Sequence, residues 1–436
     1  MRPIQSLQEG SPVRSPVSSA LVVKCAFTDI LLQRLAVPVA FFYPGPLDEQ
    51  ALRAGLEMAL ERIPLFAGRL HDTGDGLVLG CDNSGVSWST AVADLSLDEA
   101  IAAIGAEQAP WLLQEVNPWR ARTGRGPIFT VRLTRLRDGG SVLGLCWHHS
   151  IGDMHSFMLL MRAWSAAVEG RPLPEVLLVE DREAYLVRHV APRGTARSAL
   201  RRVGAGEMLR LVPYMAWEAR RKTRVEVQFT DQEIDAMREQ LSAAAGQRLT
   251  ANDVVCGHIM ELISSLDDSQ RSRVLDIAVN YRSRVGLDPR LLGNLVAPME
   301  IACDPGDDAV RIAARIRHGV DNYLDKHLSV HASLKYIAEH GGARQLGRCL
   351  PNAFDPLNRT LLVTNWSRFG VYDVSFGGQT PAYFTPAGGS PAPWAAWLVE
   401  GRGNQGLFLS IYLPRGLAAR LNSSGGKARL QRFRPS

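Results

Sequence analysis

Cysteine is sparse in this chain, and its spacing argues against the sites that depend on it. The six cysteines among 436 residues lie far apart, without a CxxC pair or a tight framework. They predict reduced, mostly buried thiols rather than a disulfide scaffold or a cysteine-based metal site. This usage favours the cytoplasm as the location of the protein.

Excess charge and long apolar runs are also missing. The net charge is only +5, and the one dense basic region, residues 188–224, contains few aromatic residues. No nucleic-acid partner is therefore predicted. The apolar stretch from Ile30 to Tyr43 is interrupted by Arg34 and Pro38, and the first twenty residues are polar with three prolines. We expect neither a signal peptide nor a spanning helix, and no membrane partner.

The residues that are present predict a large globular core. Hydrophobic residues make up 46% of the chain and charged residues 21%, a balance typical of soluble domains. Apolar residues recur at helical spacing in 52–60, whereas residues 129–134 alternate as in a strand. The mixture predicts an α/β or α+β fold, and the length predicts two or three domains.

A basic stretch divides the chain into two halves of similar size. It is either a solvated crossover between domains or a binding site for an anionic ligand. Soon after it, Thr230 and Glu233 stand in capping-box spacing and predict the start of a helix. We predict an N-terminal domain over residues 1–190, a linker over 191–223 and a C-terminal domain over 224–436. The basic residues of this stretch are Arg193, Arg197, Arg201, Arg202, Arg220, Arg221, Lys222 and Arg224.

Three histidines lie close together in the stretch CWHHSIGDMHSF, residues 146–157. The preceding apolar run, 142–147, is typical of a strand buried on both faces. Apolar residues at helical spacing follow from Phe157 to Val168. The turn between strand and helix is therefore held by two rigid elements, where catalytic side chains are commonly mounted.

Four explanations fit that turn. Its polar residues can satisfy one another, or His149, Asp153 and His155 can bind a metal, although no further His or Cys cluster completes a ligand set. A histidine can activate a Ser or Cys nucleophile, but the chain offers no GxSxG elbow at this turn. The fourth explanation is a lone histidine that acts as general base, with Asp153 fixing the turn.

The stretch HHSIGD resembles the HHxxxD signature of the BAHD acyl-CoA-dependent acyltransferases, relatives of chloramphenicol acetyltransferase and of peptide-synthetase condensation domains. Other segments are similar to family blocks: PLFAGRL at 64–70, NYRSRVGLDPRLLGN at 280–294 and TNWSRFGVYDVSFGGQTP at 364–381. The resemblance implies two similar-sized domains, each a mixed sheet with flanking helices, that meet along a channel. It covers most of the chain.

The resemblance also implies the chemistry. His149 would sit midway along the channel and take the proton from an alcohol or amine acceptor as it attacks the thioester of acyl-CoA. Acyl-CoA is then a co-substrate, no cofactor or metal is bound, and a hydroxycinnamoyl or other aromatic acyl group is one candidate donor. We expect a monomer. A condensation-type enzyme with a carrier-protein donor and a non-catalytic binding descendant are the alternatives.

Further residues take roles from the same resemblance. Asp153 would point away from His149 and pair with Arg282 or Arg284. Strand alternation puts Thr364 and Trp366 on one face of 361–366, where they match a Thr-x-Trp whose donors bind the oxyanion of the intermediate. Simple core packing is the competing interpretation of these two side chains.

Four other residues receive weaker assignments. The resemblance implies that Asp29 faces the acceptor channel, where the family often has an Asp. Arg368, with the basic stretch, is predicted to contact phosphates or an acidic acceptor. His148 and His155 are interpreted as structural.

The second family motif is degraded in this sequence. DFGWG is reduced to SFGGQ, in which Ser375, Gly378 and Gln379 replace Asp, Trp and Gly, while Gly377 is kept. Asp373 stands two residues before Ser375, on the same side of an extended segment. In the family, the Asp of DFGWG usually pairs with an arginine of the same domain. We predict that Asp373 takes over part of this role and pairs with Arg282 or Arg284. In the first motif, Met154 follows Asp153 where Gly is usual.

Overall fold

Two six-stranded sheets form the framework of the computed structural model, which describes residues 4–106, 109–389, 392 and 394–434. The strands of this part of the chain are, in order, β1 (Ile4–Glu9), β2 (Val22–Lys24), β3 (Ala36–Tyr43), β4 (Arg69–Asp72), β5 (Leu77–Gly80), β6 (Ser87–Ala93), β7 (Phe129–Leu136), β8 (Ser141–His148), β9 (Leu200–Arg202), β10 (Lys222–Phe229), β11 (Arg273–Asn280), β12 (Val296–Cys303), β13 (Cys349–Pro351), β14 (Thr360–Asn365), β15 (Tyr383–Pro386), β16 (Trp394–Glu400) and β17 (Leu407–Pro414).

Helices of very different length flank the sheets. In chain order they are α1 (Phe27–Leu31), α2 (Glu49–Arg62), α3 (Leu97–Gly105), α4 (Pro118–Arg122), α5 (Met154–Val168), α6 (Arg182–His189), α7 (Ala205–Ala219), α8 (Asp231–Ala245), α9 (Ala251–Leu266), α10 (Ala309–Asp321), α11 (Tyr323–Lys326), α12 (Val330–Glu339), α13 (Arg415–Asn422) and α14 (Ser424–Leu430). No helix in the described residues is long and apolar enough to cross a membrane.

Both large sheets are mixed, so the predicted α/β architecture is confirmed. The first has the strand order β1-β6-β7-β8-β3-β15, with β6 and β7 parallel. The second has the order β10-β17-β16-β14-β11-β12, with β14 parallel to both β11 and β16. Strand β15 pairs with β3, although it comes from the C-terminal half of the chain. The boundaries at 190 and 223 stay a prediction, and this strand exchange joins the halves across them.

Local sequence signals explain where two of the helices begin and end. Helix α2 is capped at its start by Asp48, whose carboxylate accepts from the backbone N–H of Gln50 at 2.8 Å. It stops before Pro64, because a proline disfavours helical geometry in the residue that precedes it. Helix α8 opens with the predicted capping box, in which Thr230 and Glu233 each accept from the other's backbone N–H.

The core beneath the histidine turn is densely aromatic. Every residue of β8 is buried, as the continuous apolar run predicts. Helix α5 covers this strand, and the rings of Trp147 and Phe157 stack 4.1 Å apart. The indole N–H of Trp164 donates to the carbonyl of Leu52 in α2 at 2.8 Å. Side chains of this kind contribute about 1.5–3 kcal/mol each when fully buried, so α5 is a rigid support for the turn that precedes it.

The basic stretch has regular structure of its own. Strand β9 pairs with β13, and α7 follows it. Arg201 is held by Asp355 at 2.6 Å and Glu207 at 2.5 Å, and buried Arg224 contacts Glu226 at 2.6 Å. These two arginines therefore serve the fold, whereas the idea that the stretch binds an anionic ligand stays a prediction for its other basic residues.

Candidate active site

The histidine turn connects the end of β8 to the start of α5. His148 ends the strand, and its Nδ1 accepts from the backbone N–H of Ser150 at 3.2 Å. Asp153 caps α5 by accepting from the backbone N–H of Ser156 at 3.0 Å. Gly152 lies between them in an extended conformation, where a Cβ would come within 2.5 Å of the Ser156 Cβ. The turn requires glycine at 152 because of this close approach.

Asp153 is bound to Arg282 from the second half of the chain. The two guanidinium distances are 2.8 and 3.1 Å, and both side chains are almost completely buried. Arg282 also donates to the carbonyls of Leu291 and Gly293. Burial is the largest single influence on Asp153 and opposes its ionisation. The charge and hydrogen bonds of Arg282, together with the backbone N–H groups of Ser156 and Leu295, outweigh it and hold the pKa of Asp153 below its ordinary value. Arg284, the other predicted partner, is exposed over the ring of Tyr323 and takes no part.

Asp29 is completely buried, so the prediction that it faces the acceptor is wrong. Its carboxylate pairs with Arg182 at 3.0 Å, accepts from the backbone N–H of Ala26 at 2.9 Å and accepts from the Nδ2 of Asn294 at 2.7 Å. Because Asp29 lies in the first turn of α1, its side chain folds back onto that helix end instead of outward. Arg182 also donates to the carbonyls of Ser150 and Ile151, and it therefore links Asp29 to the turn.

His149 is oriented by Asn294. The amide nitrogen of Asn294 donates to Asp29 and to the carbonyl of His149, so the amide oxygen faces His149 Nδ1 at 3.1 Å. An amide oxygen only accepts, and Nδ1 must therefore carry the hydrogen. The lone pair of the neutral ring is left on Nε2. Sequence reasoning did not assign Asn294 a role, although the Gly-Asn that ends the 280–294 block was the available signal.

Burial keeps all three histidines of the turn largely neutral. It lowers the pKa of His149 below the ordinary value, and it lowers the pKa of His148 to about 4. Burial likewise lowers the pKa of His155, whose Nε2 lies 2.6 Å from the carbonyl of Pro289. His149 differs from His148 in its surroundings: it lines a cavity, whereas His148 is packed inside the protein.

A cavity of about 290 Å³ opens beside His149. One wall comes from α1, β3 and the turn, and the other from β11, β12 and β14 of the second sheet. Its surface is predominantly apolar. A pocket of this kind, with a few polar groups placed between two domains, is the usual form of a small-molecule site.

Thr364 and Trp366 both line this cavity, at the end of β14 and just beyond it. Leu362 lines it too, as the predicted alternation requires. Asn365 also reaches the cavity, but its amide is engaged with Asn252 at 2.9 Å and with Ser367. Thr364 and Trp366 therefore both bring a side chain with a hydrogen-bond donor to the cavity wall.

The prediction for Asp373 is wrong. Its side chain is exposed and forms no ion pair with Arg282 or Arg284 among the described residues. The guanidinium of Arg282 already donates to Asp153 and to the carbonyls of Leu291 and Gly293, so a second acid is not required. The neighbouring Ser375 contributes its carbonyl, which accepts from the hydroxyl of Ser165 at 2.8 Å.

Gly377 and Gly378 make the turn of the degraded motif. Both have positive φ, 59° and 75°, and the flanking Phe376 and Gln379 exchange two backbone hydrogen bonds of 2.9 and 3.1 Å. Two consecutive positive φ values suit glycine and define a tight hairpin turn. The motif therefore keeps its turn, although three of its five side chains have changed.

Arg368 lies outside the cavity lining. It is exposed, has a φ of 73°, and its backbone N–H donates to Glu400. Its contact with a phosphate or an acidic acceptor stays a prediction.

The alternative metal site at the turn has no suitable ligand set. Both oxygens of Asp153 are taken by Arg282. Within the residues that the structure describes, no group of three or more His, Cys, Asp or Glu is arranged to hold a metal ion.

Comparison with known proteins is decisive for the family. The model of the Transferase family, which comprises the BAHD acyltransferases, matches residues 15–423. The chain belongs to this family. It is 25% identical over 411 residues to the hydroxycinnamoyltransferase of Narcissus pseudonarcissus, covering 88% of this chain and 90% of that protein.

Two solved structures share the fold of this BAHD protein. Vinorine synthase superposes with a TM-score of 0.70 at 20% identity, over 95% of this chain and 96% of its own. F. graminearum TRI101 complexed with coenzyme A and T-2 mycotoxin superposes with a TM-score of 0.73 at 14% identity, over 94% and 98%. At these identities the likeness establishes the fold and not the substrates.

Proposed function

We propose that this protein transfers an acyl group from acyl-CoA to an alcohol or amine, with His149 as general base in a ternary complex. An aromatic acyl group is the first candidate for the donor. One observation carries the proposal: the bond between His149 Nδ1 and Asn294 leaves the Nε2 lone pair available beside the cavity. The family supports acyl-CoA as co-substrate, and the name of the Narcissus relative supports the aromatic donor.

The steps follow from the neutral imidazole. Nε2 takes the proton of the acceptor as its oxygen or nitrogen attacks the thioester carbonyl. The oxyanion of the tetrahedral intermediate accepts hydrogen bonds from Thr364 and Trp366, which are available in the same cavity. The intermediate collapses by breaking the carbon–sulfur bond, and the thiolate of CoA receives the proton from the imidazolium. Because a thioester is already activated, one base is sufficient.

Asp153 has no part in the proton transfer. Both of its oxygens are turned to Arg282, so it holds the shape of the turn while Asn294 orients the ring. The complete burial of His148 supports the structural role predicted for it.

The test is release of free thiol from a panel of aromatic and aliphatic acyl-CoAs with mixed alcohols and amines as acceptors. We expect His149→Ala to lower kcat by about 10²–10⁴-fold with an unchanged melting temperature. His148→Gln is the matched control and should retain turnover. Transfer that survives in His149→Ala contradicts the general-base role. A thioester of a carrier protein, offered in parallel, separates a CoA enzyme from a condensation-type enzyme.

A further inference from the structure

The cavity contains a carboxyl group that the mechanism does not use. Asp276 lies on β11, is only 1% exposed and belongs to the cavity lining. Neither of its oxygens has a hydrogen-bond partner within the described part of the chain. A buried carboxyl group without a partner is costly to the fold, which makes it a candidate for ligand binding.

Asp276 lies well away from the catalytic turn. Residues 276, 278 and 280 of β11 alternate toward the cavity, and all three line it. Asn280 is at the catalytic end, because its side chain accepts from Arg282, the partner of Asp153. Asp276 and Asn280 are four positions apart along the strand, which corresponds to roughly 13 Å. Asp276 can therefore contact a substrate group that is distant from the reacting atoms.

Asp276 has no permanent cation beside it in the cavity. Among the described residues, the lining includes neither lysine nor arginine, and burial lowers the pKa of its two histidines, His149 and His155. The residue opposite Asp276 on β12 is another acid, Glu300, whose carboxylate accepts from the Nδ2 of Asn352 at 2.9 Å. Tyr323, also nearby, turns its hydroxyl to the carbonyl of Ala297. The groups around Asp276 thus supply no cation to balance its carboxylate form.

Without a cation beside it, Asp276 holds its proton to a higher pH than an ordinary carboxyl group does. Burial, and then the charge of Glu300, raise the pKa of Asp276 to about 8. The group is therefore mainly protonated at neutral pH, and a bound cation would favour release of that proton to solvent.

We propose that Asp276 binds a positively charged group, an ammonium or a guanidinium, at the end of the acyl acceptor remote from its nucleophile. This inference rests on the proposed function, since it concerns the acceptor of that same reaction. It assigns the acceptor to the class of bifunctional compounds whose hydroxyl or neutral amine reaches His149 while a cation reaches Asp276. The carboxylate and the cation then complete the hydrogen bonds that the protein alone leaves unmade.

Direct binding to the full chain tests this inference. The probes are ω-hydroxyalkylguanidines with four to eight methylene groups, and the α,ω-diols of equal length are the neutral controls. The guanidinium keeps its charge at every pH used, so a change of affinity with pH comes from the protein. We expect calorimetry to show about ten- to hundredfold tighter binding of the guanidine than of the diol.

Two variants separate the role of Asp276 from a general charge effect. Asp276→Asn should remove the preference for the guanidine, and Glu239→Gln, which removes an exposed carboxylate outside the cavity, should keep it. In the unsubstituted protein, affinity for the guanidine should rise with pH through about 8, with a proton released on binding at neutral pH. Calorimetry in two buffers of different ionisation enthalpy measures that proton even if Asp276→Asn fails to fold.

Equal affinity for guanidine and diol, a preference retained in Asp276→Asn, or binding without proton release each overturns the assignment. Thiol release with neutral alcohols reports on the proposed function separately. Transfer to alcohols without a preference for guanidine overturns the role of Asp276 alone, whereas a guanidine preference without thiol release from any donor overturns the acyl-transfer function.

Discussion

The histidine turn and the segment 373–379, which contains the degraded motif, are held in place by different kinds of contact. The turn depends on charged side chains: Arg282 binds Asp153, and Arg182 binds Asp29 and two carbonyls of the turn. The degraded motif depends on backbone groups, with Ser165 donating to the carbonyl of Ser375 and Tyr43 to the carbonyl of Val374. Side-chain identity should therefore matter far more in the first region than in the second.

This difference explains how the sequence keeps the HHSIGD motif while the DFGWG motif is reduced to SFGGQ. A buried charge left without its partner is heavily penalised, so neither member of such a pair is replaceable alone. A carbonyl is supplied by any residue, and the loss of the acidic side chain at 375 leaves the contact with Ser165 intact.

The largest effect is expected from Arg282→Ala. This substitution leaves Asp153 buried without its ion pair, and we expect it to lower the free energy of unfolding by about 3–5 kcal/mol. Arg284→Ala, two residues away and exposed, is the matched control and should change it by no more than about 0.5 kcal/mol. Urea unfolding measures both. Similar losses in the two variants would show that the buried pair is not what distinguishes the turn.

A smaller effect should appear when the turn is titrated. The pKa of His148 is about 4 in the folded protein and about 6.5 in the unfolded chain, so below pH 6.5 the unfolded state binds more protons. Stability should fall as the pH drops from 6.5 toward 4, by about 3 kcal/mol from this residue. Above pH 6.5 both states are neutral and His148 contributes no pH dependence.

His148→Gln should flatten this part of the stability curve. Thermal or urea unfolding between pH 4 and 7 compares the variant with the unsubstituted protein. A variant that loses as much stability over this range would place the acid sensitivity outside the turn.

The smallest effects are expected in the degraded motif. Ser375→Ala should cost no more than about 1 kcal/mol, and Asp373→Ala should stay within about 0.5 kcal/mol, because one contributes its carbonyl and the other is exposed. Gly377→Ala should cost more, about 1–2 kcal/mol, since its φ of 59° is unfavourable for any residue with a Cβ. Melting temperatures rank the three. A larger loss in Asp373→Ala than in Gly377→Ala would restore an ionic role for this motif.

Local patterns determined the elements that mount the site. Residues 142–168 predict a buried strand, a turn and a helix from their sequence alone. The prediction is possible because the periodicity of apolar residues depends only on near neighbours. The capping box at Thr230 is readable for the same reason. The alternation that brings Thr364 to the cavity together with Leu362 follows from strand geometry alone.

Tertiary structure decided which side chains meet. Arg282 and Arg284 are equivalent in the sequence, yet only Arg282 reaches Asp153, 129 residues away. The family resemblance places Asp29 at the acceptor channel, whereas in the folded protein Arg182 and Asn294 enclose its side chain. The sequence does not distinguish Asp276 from any other acidic residue in a strand. Its lack of a hydrogen-bond partner depends on the elements that surround it in the fold. The sequence thus determines periodicity and turns, whereas burial and the pairing of charges depend on contacts between distant parts of the chain.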